Sequence, residues 1–157
     1  MKKFLMLACA MLLSAAMFAQ QGDKSLGLNL KYGLDDPKST GFGIKGQYGL
    51  TDQIRLEGSF NYFLKKDYCN VWDINANVHY VFKAGEFGLY PLAGVTLQNV
   101  KVSNAGYSHS ESKFGVNLGA GAEYPITEKI KVNLEFTYKL VNDYDRSLIG
   151  LGVAYKF

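Results

Sequence analysis

Alternation of apolar and polar residues with period two runs through most of this chain and restricts its fold more than any other feature. From Trp72 to Phe82 the even positions are Trp72, Ile74, Ala76, Val78, Tyr80 and Phe82, and those between are Asp73, Asn75, Asn77, His79 and Val81. Successive side chains of a strand point to opposite faces, so this segment is a strand with one apolar and one largely polar face. The same split sets Leu26, Leu28, Leu30 and Tyr32 against Gly27, Asn29 and Lys31, and Ile54, Leu56, Phe60 and Tyr62 against Arg55, Glu57, Ser59 and Asn61. Strands are expected at 25–34, 40–50, 53–63, 70–82, 87–99, 112–126, 129–141 and 147–157, with little helix in the mature chain.

The connections alternate between short and long. Leu50-Thr51-Asp52-Gln53, Lys83-Ala84-Gly85-Glu86 and Thr127-Glu128 are tight, whereas Asp35 to Ser39, Leu64 to Cys69, Val100 to Glu111 and Asn142 to Arg146 are longer and more polar. Hairpins of this kind make an up-and-down antiparallel sheet. Tyr48 to Leu64 aligns without gaps on Tyr124 to Leu140, so the second and third strands repeat as the sixth and seventh.

The first residues are read as a leader. Met1-Lys2-Lys3 is basic, Phe4 to Phe18 is apolar apart from Ser14, and Ala15, Ala16 and Ala19 are small, which is the pattern of a cleaved signal peptide over residues 1–19. The apolar stretch falls short of the about 20 residues a spanning helix needs. Residues 20–157 then form a single domain, and loss of Lys2 and Lys3 leaves 15 of the 17 basic residues against 14 acidic ones. That balance, with no Lys/Arg cluster, gives no footprint for nucleic acid. Two cysteines, Cys9 and Cys69, give neither a disulfide framework nor zinc spacing, and no cofactor is expected.

Eight such strands close either as a soluble periplasmic calyx with an apolar interior or as a membrane barrel with a polar one. The aromatic positions decide between them. On the fourth strand Trp72 stands at one end and Tyr80 and Phe82 at the other, and on the sixth Phe114 and Tyr124 flank Val116, Leu118, Ala120 and Ala122. Rings at both ends with aliphatics between are the two girdles of a transmembrane barrel. The expected fold is therefore all-β: an eight-stranded antiparallel up-and-down transmembrane β-barrel of the bacterial outer membrane, monomeric, bounded by outer-membrane lipids and lipopolysaccharide.

The closing segment Gly150-Leu-Gly-Val-Ala-Tyr-Lys-Phe157 and the two Tyr-x-[Leu/Ile]-Thr-[Asp/Glu]-x-Ile turns carry a family resemblance. They resemble the last strand and periplasmic turns of small outer-membrane barrels of the OmpX and OmpA superfamily, over about residues 25–157. The resemblance implies recognition of the last strand, through Tyr155 and Phe157, by the barrel-assembly machinery. It also implies a barrel without the peptidoglycan-binding domain of full OmpA-type proteins, since Phe157 ends the sequence.

The candidate site residues fall into three groups. Lys45, Arg55, Glu57, Asp73, His79, Glu123, Lys131 and Glu135 face inward and are expected to plug the lumen, with Lys45 pairing Glu57 and Glu123 pairing Lys131. Inward glycines, among them Gly41, Gly121 and Gly152, leave room for these groups or else a slot for a ligand. Asn104, Tyr107, Ser108 and His109 lie in the long 100–111 loop and are the surface-recognition candidates. Asp35, Asp36, Asp143 and Asp145 are brought together where the first and last strands meet. They are either oxygen ligands for Ca²⁺ or Mg²⁺ or solvated turn residues neutralised by Lys38 and Arg146.

A non-enzymatic protein displaying loops for adhesion, surface protection or envelope integrity follows. The alternatives are a lipid A modifying enzyme, a narrow channel and the calyx. Lys101-Val102-Ser103-Asn104 is similar to the His-x-Ser-Asn motif of lipid A deacylases, but lysine replaces the histidine that would act as base.

Overall fold

The computed structural model describes residues 22–35, 38–66, 69–142 and 145–157. The segment read as a signal peptide lies outside these residues, as do Asp36 and Asp143. Nine strands form one antiparallel sheet: β1 Lys24–Gly33, β2 Thr40–Gly49, β3 Ile54–Lys66, β4 Cys69–Tyr80, β5 Phe82–Ala84, β6 Phe87–Asn104, β7 Tyr107–Pro125, β8 Ile130–Val141 and β9 Arg146–Lys156. Each pairs with its neighbour in sequence, apart from a break between β4 and β5. Pairing of β1 with β9 and of β4 with β6 closes the sheet. β5 continues the β4 line in the same register along β6, so the barrel has eight staves. Closure gives every stave two neighbours in the belt, which is the condition for crossing a hydrocarbon layer with strands.

Burial follows the sequence alternation residue by residue. In β1, Ser25, Gly27, Asn29, Lys31 and Gly33 are buried while Leu26, Leu28, Leu30 and Tyr32 are exposed. The polar face is thus inside and the apolar face outside, the reverse of a soluble calyx. Tyr32, Phe42, Tyr62, Trp72, Phe114 and Tyr138 ring the loop end, and Tyr48, Tyr80, Phe82, Phe87, Tyr124 and Tyr155 the end with the short turns. Aliphatic side chains such as Leu28, Ile44, Ile74, Val95, Leu118 and Leu151 lie between, exposed, where only lipid makes their exposure favourable.

The sequence repeat produces two congruent turns. Thr51 Oγ1 accepts from the Gln53 and Ile54 amides at 3.2 and 2.8 Å, and Thr127 Oγ1 from those of Lys129 and Ile130 at 3.2 and 2.9 Å. In both, two consecutive amides donate to the isoleucine carbonyl, at 2.9 and 3.1 Å. One local sequence therefore writes the same hairpin base twice, on opposite sides of the barrel.

The 100–111 segment departs from the expected loop. β6 and β7 stay in one unbroken register from Gly88 opposite Glu123 to Asn104 opposite Tyr107. Only Ala105 and Gly106 turn the chain, with φ of 40° and 89°. Positive φ at both central residues is the two-residue turn whose twist matches that of paired strands, and such a turn lets the ladder run to its tip. β3 and β4 likewise extend to Lys66 and Cys69, and β4 remains paired with β6 as far as Val102. The opposite wall stops at Val141 and Arg146. The barrel therefore has a tall wall, β3-β4-β6-β7, and a low one.

Candidate functional site

Two regions hold the polar chemistry: the lumen, and the ribbon formed by the upper parts of β6 and β7. Of the inward candidates, Lys45, Arg55, Glu57, Asp73, His79 and Glu135 are buried, and Glu123 and Lys131 are half-buried near the short-turn end. There Glu123 takes a 2.8 Å bond from Arg55 Nη1 and lies 3.5 Å from Lys131. The pairing expected for Lys45 does not form. Glu57 stands opposite Gln47, whose amide donates to it at 2.7 Å, and Lys45 stands opposite Ser59. Lys45 instead crosses the lumen to Asn133 Oδ1 at 2.6 Å. The turn sets the register so that the two charges lie one pair apart, and the glycine at 152 opens the space on the far wall: a Cβ there would sit 2.7 Å from the Lys45 ammonium.

Tyr90 sits at the middle of the network. Its hydroxyl donates to Glu135 at 3.0 Å and accepts from Asn133 at 3.1 Å, and its ring stacks on His79 at 4.6 Å. Towards the loop end Lys139 Nζ meets Asp73 Oδ2 at 2.5 Å and Asn75 Oδ1 at 2.9 Å, while Asn61 and Asn75 also donate to Asp73. Beyond this, Phe63, Val141 and Leu148 are inward and almost completely buried, with the Arg146 guanidinium 4.6 Å above the Phe63 ring. The glycine wall is filled rather than open: a Cβ at Gly121 would lie 2.4 Å from the Tyr90 ring, and one at Gly41 would lie 2.6 Å from that of Phe63. A cavity of about 600 Å³ opens at the short-turn end, lined by Ser25, Gln47, Arg55, Glu123 and Lys131 among others.

Tyr90, Lys139 and Phe63 were missed in the sequence. Lys139 has the same parity as Lys131 and Glu135, so its inward position was readable. Tyr90 lies in Leu89-Tyr90-Pro91-Leu92, where both faces look apolar and parity carries no sign.

Among the described residues, one group has metal-ligand composition: Glu57, His79 and Glu135, with ligand atoms within 4.8 Å of one another. The hydrogen bonding opposes a metal there. Arg55 Nη2 lies 2.9 Å from His79 Nδ1 and can only donate, so Nδ1 is the acceptor and the ring proton sits on Nε2, the atom facing Glu57 at 3.7 Å. Lys31, 3.6 Å from Glu135, already supplies positive charge. At the loop end Asp35 accepts from the Ser147 amide, a turn-capping role, and Asp145 is exposed.

Among the described residues, neither histidine is joined by a nucleophile and an orienting acid in a triad arrangement. His79 is bounded by Arg55, Glu57 and Tyr90. On the ribbon, His109 projects from one face of β7 and Ser108 and Ser110 from the other, so these neighbours in sequence cannot converge. Tyr107, Ser108 and His109 are exposed, Tyr107 to 86%; of Asn104 only the backbone is described.

The ribbon also carries an open edge. β7 pairs with β6 from Tyr107 to Glu123, but with β8 only from Gly115 onward, so among the described residues Tyr107 to Ser112 have strand partners on one side alone.

A closed barrel with a polar, hydrogen-bonded interior and an apolar, aromatic-girdled exterior defines an integral outer-membrane β-barrel. Residues 5–157 match the outer membrane protein beta-barrel domain, and the chain belongs to that family of the bacterial outer membrane. It is 26% identical over 151 residues to the 22 kDa outer membrane protein of Rhizobium leguminosarum bv. viciae, covering 88% of this chain and 61% of that one. With outer membrane protein X of Escherichia coli K12 it shares 24% identity, over 87% of this chain and 77% of the other. The N-terminal barrel of Pseudomonas aeruginosa OprF has the same fold, with a TM-score of 0.76 at 21% identity over 87% of this chain and all of that domain.

Proposed function

We propose that this protein is a non-enzymatic surface-display barrel, in which the lumen is a structural plug and the β6–β7 ribbon is the recognition element. The short turns lie in the periplasm in this reading, which puts the tall wall outside the cell. The observation that carries it is the one-sided pairing, among the described residues, of Tyr107 to Ser112. An exposed strand edge presents a row of unpaired N–H and C=O groups, to which an extended segment of another protein can add as a further strand. Adhesion follows more directly from such an edge than surface protection does. The assembly machinery engages the last strand through Tyr155 and Phe157, both exposed on the outer face.

The test is to delete residues 101–104 and 107–110, which leaves Ala105-Gly106 as the turn and preserves both register and face. The shortened barrel is expected to keep the shift in gel migration on boiling that marks a folded barrel. Cells expressing it should lose the adhesion to protein-coated surfaces that the parent confers. Unchanged adhesion would overturn the role given to the ribbon, and lipid A altered by expression of the parent would restore the enzyme reading.

A further inference from the structure

The charges of the lumen do not balance, and the imbalance lies where the barrel is open. Between the Phe63 layer and the short-turn rim, the inward side chains among the described residues set Lys31, Lys45, Arg55, Lys131 and Lys139 against Glu57, Asp73, Glu123 and Glu135. Lys139 is matched by Asp73 and Lys31 by Glu135, while Lys45 and Glu57 are diagonal neighbours on β2 and β3. Arg55 and Lys131 are left to share Glu123, and both meet the same oxygen, Oε2, at 2.8 and 3.5 Å. One positive charge is therefore in excess, and it stands at the floor of the cavity of about 600 Å³. Arg55 also keeps a donor in reserve. A guanidinium commonly grips a carboxylate with two parallel N–H groups. Here Glu123 takes only Nη1 and His79 accepts from Nη2, so Nε is buried without a hydrogen-bond partner in a side chain that lines the cavity. A buried donor left unmet is costly, more so on a charged group. The rim does not supply the missing charge: Asp23 is taken by Lys156 at 2.8 Å, and Asp52, Glu86 and Glu128 are interspersed with the exposed Lys83 and Lys129.

We infer that the floor of this cavity binds a small oxyanion of one negative charge, a carboxylate or a phosphodiester, held between Arg55 of β3 and Lys131 of β8. A single negative charge brings the floor to neutrality, whereas a dianion overshoots it and meets stronger repulsion from Glu123. The planar, weakly hydrated guanidinium suits oxygens set side by side, while the lysine ammonium adds a compact charge that tolerates several geometries. The two cations already converge on one oxygen of Glu123, so an acceptor oxygen placed beside it is within the reach of both. The cavity is far larger than a halide needs and admits the body of a small solute or the end of a peptide chain. Glu123 limits the affinity, since it offsets one of the two cations and repels the ligand; binding is weak, on the order of 1 mM. Tyr90 closes the way inward, its ring centroid 5.0 Å from the Arg55 guanidinium carbon, so the ligand enters and leaves by the same mouth. With the short turns in the periplasm, that ligand is periplasmic.

The test uses the full mature chain, isotopically labelled at arginine Nε for magnetic resonance and folded in maltoside micelles, which carry neither phosphate nor carboxylate. Arg55 and Arg146 are the two arginines of the sequence, so one signal reports the cavity floor and the other the loop end. Titration with acetate, and separately with dimethyl phosphate, is made at fixed ionic strength with chloride as the balancing salt. Each is expected to move the Arg55 signal saturably and to leave Arg146 in place, and the tighter of the two shows which oxyanion the floor prefers. Lys131→Gln removes the excess charge and should weaken binding about tenfold. Glu123→Gln removes the competing carboxylate and should tighten it about threefold, a change of sign that a general loosening of the mouth does not produce. Lys131→Arg keeps the charge and should retain the parent affinity, which decides the matter if Glu123→Gln does not fold. Gel migration before and after boiling verifies the fold of each variant. No movement of the Arg55 signal, an equal movement of Arg146, or unchanged affinity in Lys131→Gln would each overturn the inference. Adhesion through the ribbon belongs to the other end of the barrel, so the surface-display reading stands or falls separately.

Discussion

Lys139 Nζ lies 2.5 Å from Asp73 Oδ2, with side chains 1% and 0% exposed, 66 residues apart in sequence and on opposite walls of the lumen. The pair ties β4 to β8 across the barrel. Removing one partner strands the other charge in the interior, which costs about 3–5 kcal/mol. Asp73→Ala is expected to lower stability by that amount in urea unfolding from liposomes. The double replacement Asp73→Leu with Lys139→Met should recover most of the loss, because two apolar side chains leave no unmatched charge.

Tyr90 fits only because position 121 lacks a Cβ. Gly121→Ala pushes the ring aside and breaks its bonds to Glu135 and Asn133, an overpacking cost of about 1–3 kcal/mol. In a double-mutant cycle with Tyr90→Phe the two changes should be non-additive by at least about 0.5 kcal/mol, since they act on one contact.

Above the cavity at the short-turn end the lumen is filled by the Tyr90 and Lys139 networks, and it ends in Phe63, Val141 and Leu148 at the loop end. The parent is expected to give no steady single-channel current in planar bilayers. Phe63→Ala with Leu148→Ala removes most of the apolar layer and should introduce measurable conductance. Steady current through the parent would contradict the plugged lumen.

Because the two repeated turns are congruent, Thr51→Ala and Thr127→Ala each remove one hydroxyl that accepts two backbone amides. Each should cost about 1 kcal/mol, by the usual net worth of such bonds. The effects should add, the two turns being far apart. Urea midpoints of the two single variants and the double variant check this.

The sequence carried the barrel almost completely, because parity assigns a face to each residue and a one-residue slip would invert every face at once. It located the lumen residues without their partners. Lys45 and Glu57 looked opposed, yet cross-lumen contacts such as Lys45 to Asn133 join residues 88 apart in sequence and depend on how the walls curve. The ribbon was misread as a loop for a local reason. Its serines and charges suit a loop composition, whereas Ala105 gives a weaker turn signal than Asn or Gly at that position would. Since the strand continues, the candidates Tyr107, Ser108 and His109 lie on an edge with alternating faces instead of in one flexible cluster.

Two interchangeable hairpins in one chain set a sorting problem during assembly, since either could begin to pair where the other belongs. The turns cannot solve it, being alike; the inward side chains can. Lys45 of the first hairpin occupies the position that Gly121 holds in the second, and Gly121 is where Tyr90 needs space. A hairpin inserted in the wrong place would drive a lysine into that ring and leave Lys139 and Asp73 without each other. The same side chains that fill the finished lumen thus proofread the order in which its walls are joined.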